Sequence, residues 1–207
     1  MAERVWQELA RGLMEAQPSR MIRVLRDCGA LAQLLPELER LLGVPQPALH
    51  HPEIDTGEHV LMVIDHAAAT AQPLSVRWAC LLHDLGKGDT PADILPHHYG
   101  HELASARRAR EVSMRLKAPT ECRELAEMVA REHGVFGKAA ELRPETMVKV
   151  MERCDALRRP QRFVARAHPR PLMASVLEAA SNPRFVRWAF TRYRDICPPL
   201  VTPPRAR

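Results

Sequence analysis
The chain has 207 residues, 46% hydrophobic and 27% charged, with a formal net charge of +5; this fits one globular domain with appendages and excludes a fibrous or wholly disordered chain. Aromatic residues make up only 4%, so the core falls to Leu, Val, Ala and Met, a composition that favours packed helices over sheets. No apolar run approaches the roughly 20 residues of a membrane span and no secretory signal opens the sequence, so a cytoplasmic protein is expected.

Helical periodicity runs through most of the chain and strand signals are nearly absent. Residues 3–15 place Val5, Trp6, Leu9 and Leu13 on one face. Pro18-Ser19 starts a second helix with Met21, Ile22 and Leu25 as its stripe, ending near Gly29. A third is expected over residues 30–42, stopped by Gly43. Pro45, Pro47, Pro52, His50 and His51 then mark a loop. Asp55 or Thr56 caps the next helix, which buries Val60, Leu61, Val63 and Ile64. Pro73 leads a helix that is apolar nearly all round, from Val76 to Leu82, and so belongs at the centre of a bundle. His83-Asp84 closes it, and Gly86 and Gly88 are read as its break. After a loop with Pro91 and Pro96, helices are expected over residues 100–116, 120–133 and 144–158. Beyond Pro160 the sequence turns rich in Pro and Arg, with only Glu178 and Asp195 as acids. Short helices over 172–180 and 185–193 are expected there, and a disordered end.

The five cysteines, Cys28, Cys80, Cys122, Cys154 and Cys197, are scattered. The first four fall in helical patterns and read as small buried residues in a reducing compartment. Basic charge comes from 26 Arg and only 4 Lys. Guanidinium forks suit a phosphate-bearing partner, although a GC-rich coding sequence is the favoured explanation of the bias.

Chemistry concentrates in His59, His83-Asp84 and Asp155, each beside an apolar helical run. Imidazoles and carboxylates suit borderline and hard divalent metals and leave positions open for water and phosphate. Buried Asp84 and Asp155 would need a counter-charge, which a metal supplies. Each residue alone is better explained as a core histidine or a surface acid; the set together favours a metal site. His98, His101 and His133 are candidates for a second metal position or a phosphate contact, with a solvated loop the alternative for His97, His98 and His101. Lys87, in a Gly-flanked turn, is a candidate phosphate contact or a solvated lysine. His66 reads as structural, and His168 as a loop residue.

The His59…His83-Asp84…Asp155 arrangement resembles the HD superfamily of all-helical metal-dependent phosphohydrolases. The likeness extends to Glu3–Glu8, Val24–Leu31, His51–Gly57, Leu82–Gly88, Asp155-Ala156 and Pro160-Gln161-Arg162, which resemble the C-terminal half of bacterial multifunctional CCA-adding enzymes. The resemblance covers residues 3–162. It implies an all-α chain with a helical connector over 1–45 and an HD domain over 46–160; composition adds an irregular Pro/Arg-rich tail over 161–207, partly helical or disordered. It implies that His59, His83, Asp84 and Asp155 hold a divalent ion such as Ni, Mg, Mn or Co. His83, Asp84 and Lys87 are then the catalytic candidates. The implied activities are phosphatase, 2′-nucleotidase and 2′,3′-cyclic phosphodiesterase, on nucleotide or RNA-end substrates, with residues 3–42 helping to engage tRNA.

Two departures qualify that expectation. Nothing here resembles the family's Gly-rich strand-turn or its Asp-x-Asp motif, so this chain is not expected to add CCA. The sequence after Phe163 is unlike the family's tail and reads like a shifted frame of a GC-rich gene. The alternatives to an enzyme are a tRNA-binding fragment without catalysis and a non-functional truncated remnant.

Overall fold
A computed structural model of the chain describes residues 2–47, 53–136 and 142–156. These form helices α1 (Ala2–Met14), α2 (Ser19–Asp27), α3 (Leu31–Leu34), α4 (Pro36–Glu39), α5 (Thr56–Ala69), α6 (Leu74–Leu82), α7 (His101–Arg115), α8 (Thr120–Phe136) and α9 (Pro144–Arg153), with a 3₁₀ segment over Leu85–Asp89. Among the described residues the only β pairing is one antiparallel bridge, Pro45 to Asp55. The fold is all-α, as composition and periodicity indicate. The chain divides into two compact units, Met1–Gly134 and Val135–Arg207. His50, His51, Cys197, His168, the expected helices at 172–180 and 185–193, and the Pro/Arg-rich tail lie outside the described residues. Among those described, no helix is long and apolar enough to cross a membrane.

In the first unit α6 is the central element. Trp78, Leu81 and Leu82 are fully buried, and Trp78 meets Trp6 of α1 edge to face at 4.9 Å, a favoured geometry for aromatic pairs. The indole N–H donates to Ser113 Oγ of α7 at 3.0 Å, so the largest core residue also satisfies its one polar atom. Buried Arg77 faces the other way. Its guanidinium donates to the carbonyls of Leu13 (2.8 Å) and Glu15 (2.9 Å), and its Nε to Gln72 at 2.8 Å. Leu13 is in the last turn of α1 and Glu15 just past it, where carbonyls lack intrahelical partners and a cation suits the helix end. A similar device starts α2. Pro18 cannot cap it, and Asp65 of α5 reaches over instead, accepting from Ser19 N–H (2.9 Å) and Ser19 Oγ (2.6 Å).

Three local expectations change. The single helix over 30–42 is divided into α3 and α4, because Pro36 removes an N–H and forces Leu35 out of helical geometry (φ −137°, ψ 62°). Second, α8 does not stop at His133 but runs through Gly134 to Phe136. Third, Cys28 is exposed, since it lies just past the end of α2 rather than on its buried stripe.

An ion pair between a buried carboxylate and a surface arginine ties the N-terminal helices to α7. Arg115 donates to both oxygens of Glu37, at 2.6 and 2.8 Å, and Glu37 is only 6% exposed. Burial would push the Glu37 carboxyl up, but the Arg115 fork outweighs it and the net direction is down. A depressed folded-state value gives stability that is complete above the unfolded carboxylate range, about pH 4.3, and is lost as pH falls through the folded value. Replacing Arg115 with Ala leaves Glu37 buried and unpaired, and is expected to cost about 2 kcal/mol at neutral pH. Thermal melts of Arg115→Ala between pH 3 and pH 7 should show a lower stability and no such acid-linked loss.

Candidate metal centre
His83 and Asp84 fall where α6 ends. The helix stops at Leu82, His83 keeps helical dihedrals as its C-cap, and Asp84 leaves them (φ −113°, ψ 11°) before the 3₁₀ segment begins. This change of helix type lets two consecutive side chains share one space, although side chains one apart on a continuous helix diverge by about 100°. The glycines do something other than break the helix. A Cβ on Gly86 would lie 2.4 Å from Ser105 N and 2.5 Å from His101 O. Gly86 is therefore what lets the 3₁₀ segment lie directly on the first turn of α7, and its N–H donates to Ser105 Oγ at 2.9 Å. That contact brings His101 to Asp84.

The centre is built around the Asp84 carboxylate, which is 1% exposed. Oδ2 lies 3.2 Å from His83 Nε2 and 2.9 Å from Lys87 Nζ. Oδ1 lies 3.4 Å from His101 Nε2 and 3.3 Å from His133 Nε2. Two groups could each hold an ion, with candidate ligand atoms all within 4.8 Å of one another: His59, His83 and Asp84, and Asp84, His101 and His133. They share Asp84.

Hydrogen bonds on the far side of each ring set its tautomer. His83 Nδ1 meets Cys80 O at 2.7 Å, His101 Nδ1 meets His98 O at 2.6 Å, and His133 Nδ1 meets the Val129 and Ala130 carbonyls at 3.2 and 3.1 Å. A carbonyl only accepts, so each Nδ1 carries the proton. In the neutral ring Nε2 then presents a lone pair towards a carboxylate. Lone pair against carboxylate is repulsive without a cation between them, either a proton or a metal ion. Asp84 Oδ1 and His101 Nε2 are in addition buried without a hydrogen-bond partner. The donor set, its orientation and these two orphaned atoms fit a divalent ion of the imidazole–carboxylate type.

The electrostatics agree. Burial would raise the Asp84 carboxyl, but the His83 charge and the contacts of His101 and His133 hold it well below the usual carboxylate range. Burial would lower the His133 imidazole, yet the Asp84 contact and charge raise it on balance.

The expected residues divide as follows. His59, His83, Asp84, His101 and His133 come together. Lys87 is buried rather than solvated, between Asp84 and Gln46 Oε1, the latter at 2.9 Å. His98 has both nitrogens engaged, Nδ1 with Thr90 Oγ1 at 2.7 Å and Nε2 with Pro45 O at 3.0 Å, and desolvation lowers its basicity. His97 stacks on Tyr99, with ring centroids 5.7 Å apart. Asp155 is not on the last helix as expected: α9 ends at Arg153, and Asp155 sits two residues on with φ 54°, a left-handed conformation that Asp tolerates better than most residues. It belongs to the second unit. Sequence reasoning missed Glu53, whose Oε1 lies 2.6 Å from His59 Nδ1. Its only signal was its place in the His51–Gly57 segment.

Comparison with known proteins agrees with this geometry. A model of the HD domain matches residues 56–159, half of the chain. The chain belongs to the HD-domain family. Membership places it among the metal-dependent hydrolases as a class. A second model, described as the probable RNA and SrmB-binding site of polymerase A, matches residues 1–42. The chain is 78% identical over 163 residues to the multifunctional CCA protein of Azoarcus sp. (strain BH72), 72% over 163 residues to that of Aromatoleum aromaticum, and 65% over 161 residues to that of Cupriavidus necator. These alignments cover 78–79% of this chain but only 39–40% of each relative, so the chain spans about two fifths of their length.

An ion and protons compete for these rings. Because the His133 imidazole is raised by Asp84, metal uptake must release protons and weaken as pH falls. Titrating the metal-free protein with Co²⁺ at several pH values should show affinity rising from acidic to mildly alkaline pH, with proton release on binding.

Proposed function
We propose that this chain is an HD-type phosphohydrolase that acts on 2′,3′-cyclic phosphodiesters, 2′-nucleotides and phosphomonoesters at nucleotide or RNA ends. The observation that carries this reading is the buried Asp84 carboxylate, surrounded by imidazole Nε2 atoms, with Oδ1 left without a hydrogen-bond partner. His59, His83 and Asp84 would hold one divalent ion (Ni, Mg, Mn or Co), with Asp155 as a further proposed ligand, and His101 and His133 would hold a second ion or a phosphate. Such an ion, when bound, makes water nucleophilic near neutral pH and offsets charge on phosphoryl oxygens. The chain's own residues supply the rest. Asp84 places its carboxylate among the imidazole Nε2 atoms, where both kinds of donor atom could face one ion. The Cys80, His98, Val129 and Ala130 carbonyls keep each ring's proton on Nδ1. Lys87, held 2.9 Å from Asp84, adds a fixed positive charge beside the position a phosphoryl group would take.

A second component of the reading concerns residues 1–42, supported by their match to an RNA-binding region and by the exposed Arg4, Arg11, Arg20, Arg23 and Arg26. In this reading α1 and α2 engage the RNA whose end the metal centre processes, tRNA being the candidate. The test combines both components. Metal-free protein should hydrolyse 2′,3′-cyclic AMP once Ni²⁺, Mn²⁺, Co²⁺ or Mg²⁺ is added, and Asp84→Ala should lose at least about 100-fold of that rate. Loss of the metal-dependent rate in the wild type, from a folded chain, would reject the enzyme reading. Binding of tRNA that weakens steeply with salt and persists in Asp84→Ala would then leave an RNA-binding module.

A further inference from the structure
The metal centre has a support outside the ligands themselves. His59 opens α5, and its Nδ1 lies 2.6 Å from Glu53 Oε1. A carboxylate accepts, so His59 donates from Nδ1 and its Nε2 is left with the lone pair. The same Glu53 oxygen accepts from Gln46 Nε2 at 3.3 Å. Gln46 is 1% exposed, and its amide oxygen accepts from Lys87 Nζ at 2.9 Å. Lys87 in turn lies 2.9 Å from Asp84 Oδ2. The result is a continuous polar chain, Asp84–Lys87–Gln46–Glu53–His59, joining a carboxylate at the end of α6 to an imidazole at the start of α5.

The backbone holds this chain in place. Gln46 N–H donates to Ile54 O at 2.7 Å, and Thr56 N–H to Val44 O at 2.9 Å. Together with the bridge of Pro45 and Asp55, these bonds clamp residues 44–46 against 54–56. Asp55 locks both ends: its Oδ1 caps α5 by accepting from Glu58 N–H at 2.9 Å, and its Oδ2 accepts from Gly43 N–H at 2.6 Å. Gln46 and Glu53 thus face each other across a short, fully bonded ladder.

We propose that Glu53 is a positioning residue for the metal centre: it holds His59 in the Nδ1–H tautomer with Nε2 presented beside His83 and Asp84, and Gln46 holds Glu53 while being held by Lys87. The chemistry is that of a ligating imidazole fixed by a carboxylate behind it, which raises ligand basicity and lowers the ordering cost of binding. This inference rests on the proposed metal-dependent reading of the same centre.

The experiment uses the full chain and Co²⁺ as the probe. Glu53→Ala is expected to weaken Co²⁺ binding by about 10- to 100-fold with unchanged helix content by circular dichroism. Glu53→Gln, whose amide oxygen can still accept from His59, should recover most of that loss. Gln46→Met, which removes both the donor to Glu53 and the acceptor of Lys87, should fall between the two. Independently, ¹⁵N correlation of the histidine rings in the metal-free wild type should show His59 protonated on Nδ1, with a mixed tautomer population in Glu53→Ala. Wild-type Co²⁺ affinity in folded Glu53→Ala, or His59 protonated on Nε2 in the wild type, would overturn the proposal while leaving the metal centre intact. A wild-type chain that binds no Co²⁺ would overturn the metal reading and this inference together.

Discussion
Everything in the first unit is arranged around one costly object, a carboxylate that is almost wholly removed from water. A buried Asp without compensation would take up a proton or destabilise the fold by several kcal/mol. Asp84 instead has an imidazole and a lysine on one oxygen and two imidazoles on the other. Those groups come from three different places: the α6 terminus with its 3₁₀ extension, the first turn of α7, and the last turns of α8. The packing must therefore hold three elements at one point. The centre is a tertiary property in which a misplaced helix costs both a ligand and a counter-charge.

The scaffold meets that demand by close approach at a few small residues. Gly86 lets the 3₁₀ segment touch the α7 backbone. Gly57 lies against Leu42, where a Cβ would meet the Leu42 Cα at 2.8 Å, so the start of α5 sits hard on the turn that follows α4. Around these contacts the apolar core is continuous, with Trp78 at its centre and small residues such as Ala106, Ala109, Ala126 and Ala130 where α7 and α8 pack. Large side chains fill the middle, and at the edge of this core the His101 and His133 rings meet with centroids 5.5 Å apart.

The same construction joins the part of the chain that matches an RNA-binding region to the part that matches the HD domain. Helices α1 to α4 belong to the same compact unit as α5 and α6. They are joined by Arg77 on the α1 carbonyls, by Asp65 on the start of α2, and by Arg115 on Glu37. In the proposed function an RNA held by the first helices and a phosphate held at Asp84 would be two contacts on one compact unit.

Much of this was legible in the residues. Helical periodicity located nearly every described helix, Asp55 proved to be the N-cap of α5 where the residues also allowed Thr56, and histidine and carboxylate beside apolar runs pointed to the candidate metal centre. These are local properties: a 3.6-residue repeat, a capping side chain and ligand chemistry are all written within a few positions of the chain. What depended on distant neighbours was not legible. Whether a ring faces Asp84 or turns away, as His98 does towards Thr90 and Pro45, depends on which carbonyl lies behind it. Whether Gly86 ends a helix or admits one depends on α7, nearly 20 residues on. Glu53 and Gln46, in what reads as a proline-rich loop, acquire their place from a ladder whose two sides are separated in sequence. The residues alone were enough for the helices and for the imidazole–carboxylate donor types, because those follow from side-chain chemistry and short-range spacing. The meeting of these rings at Asp84 came from packing instead: the carbonyls behind His83, His101 and His133 lie only three or four residues back, but the elements that carry the rings come together only in the folded chain.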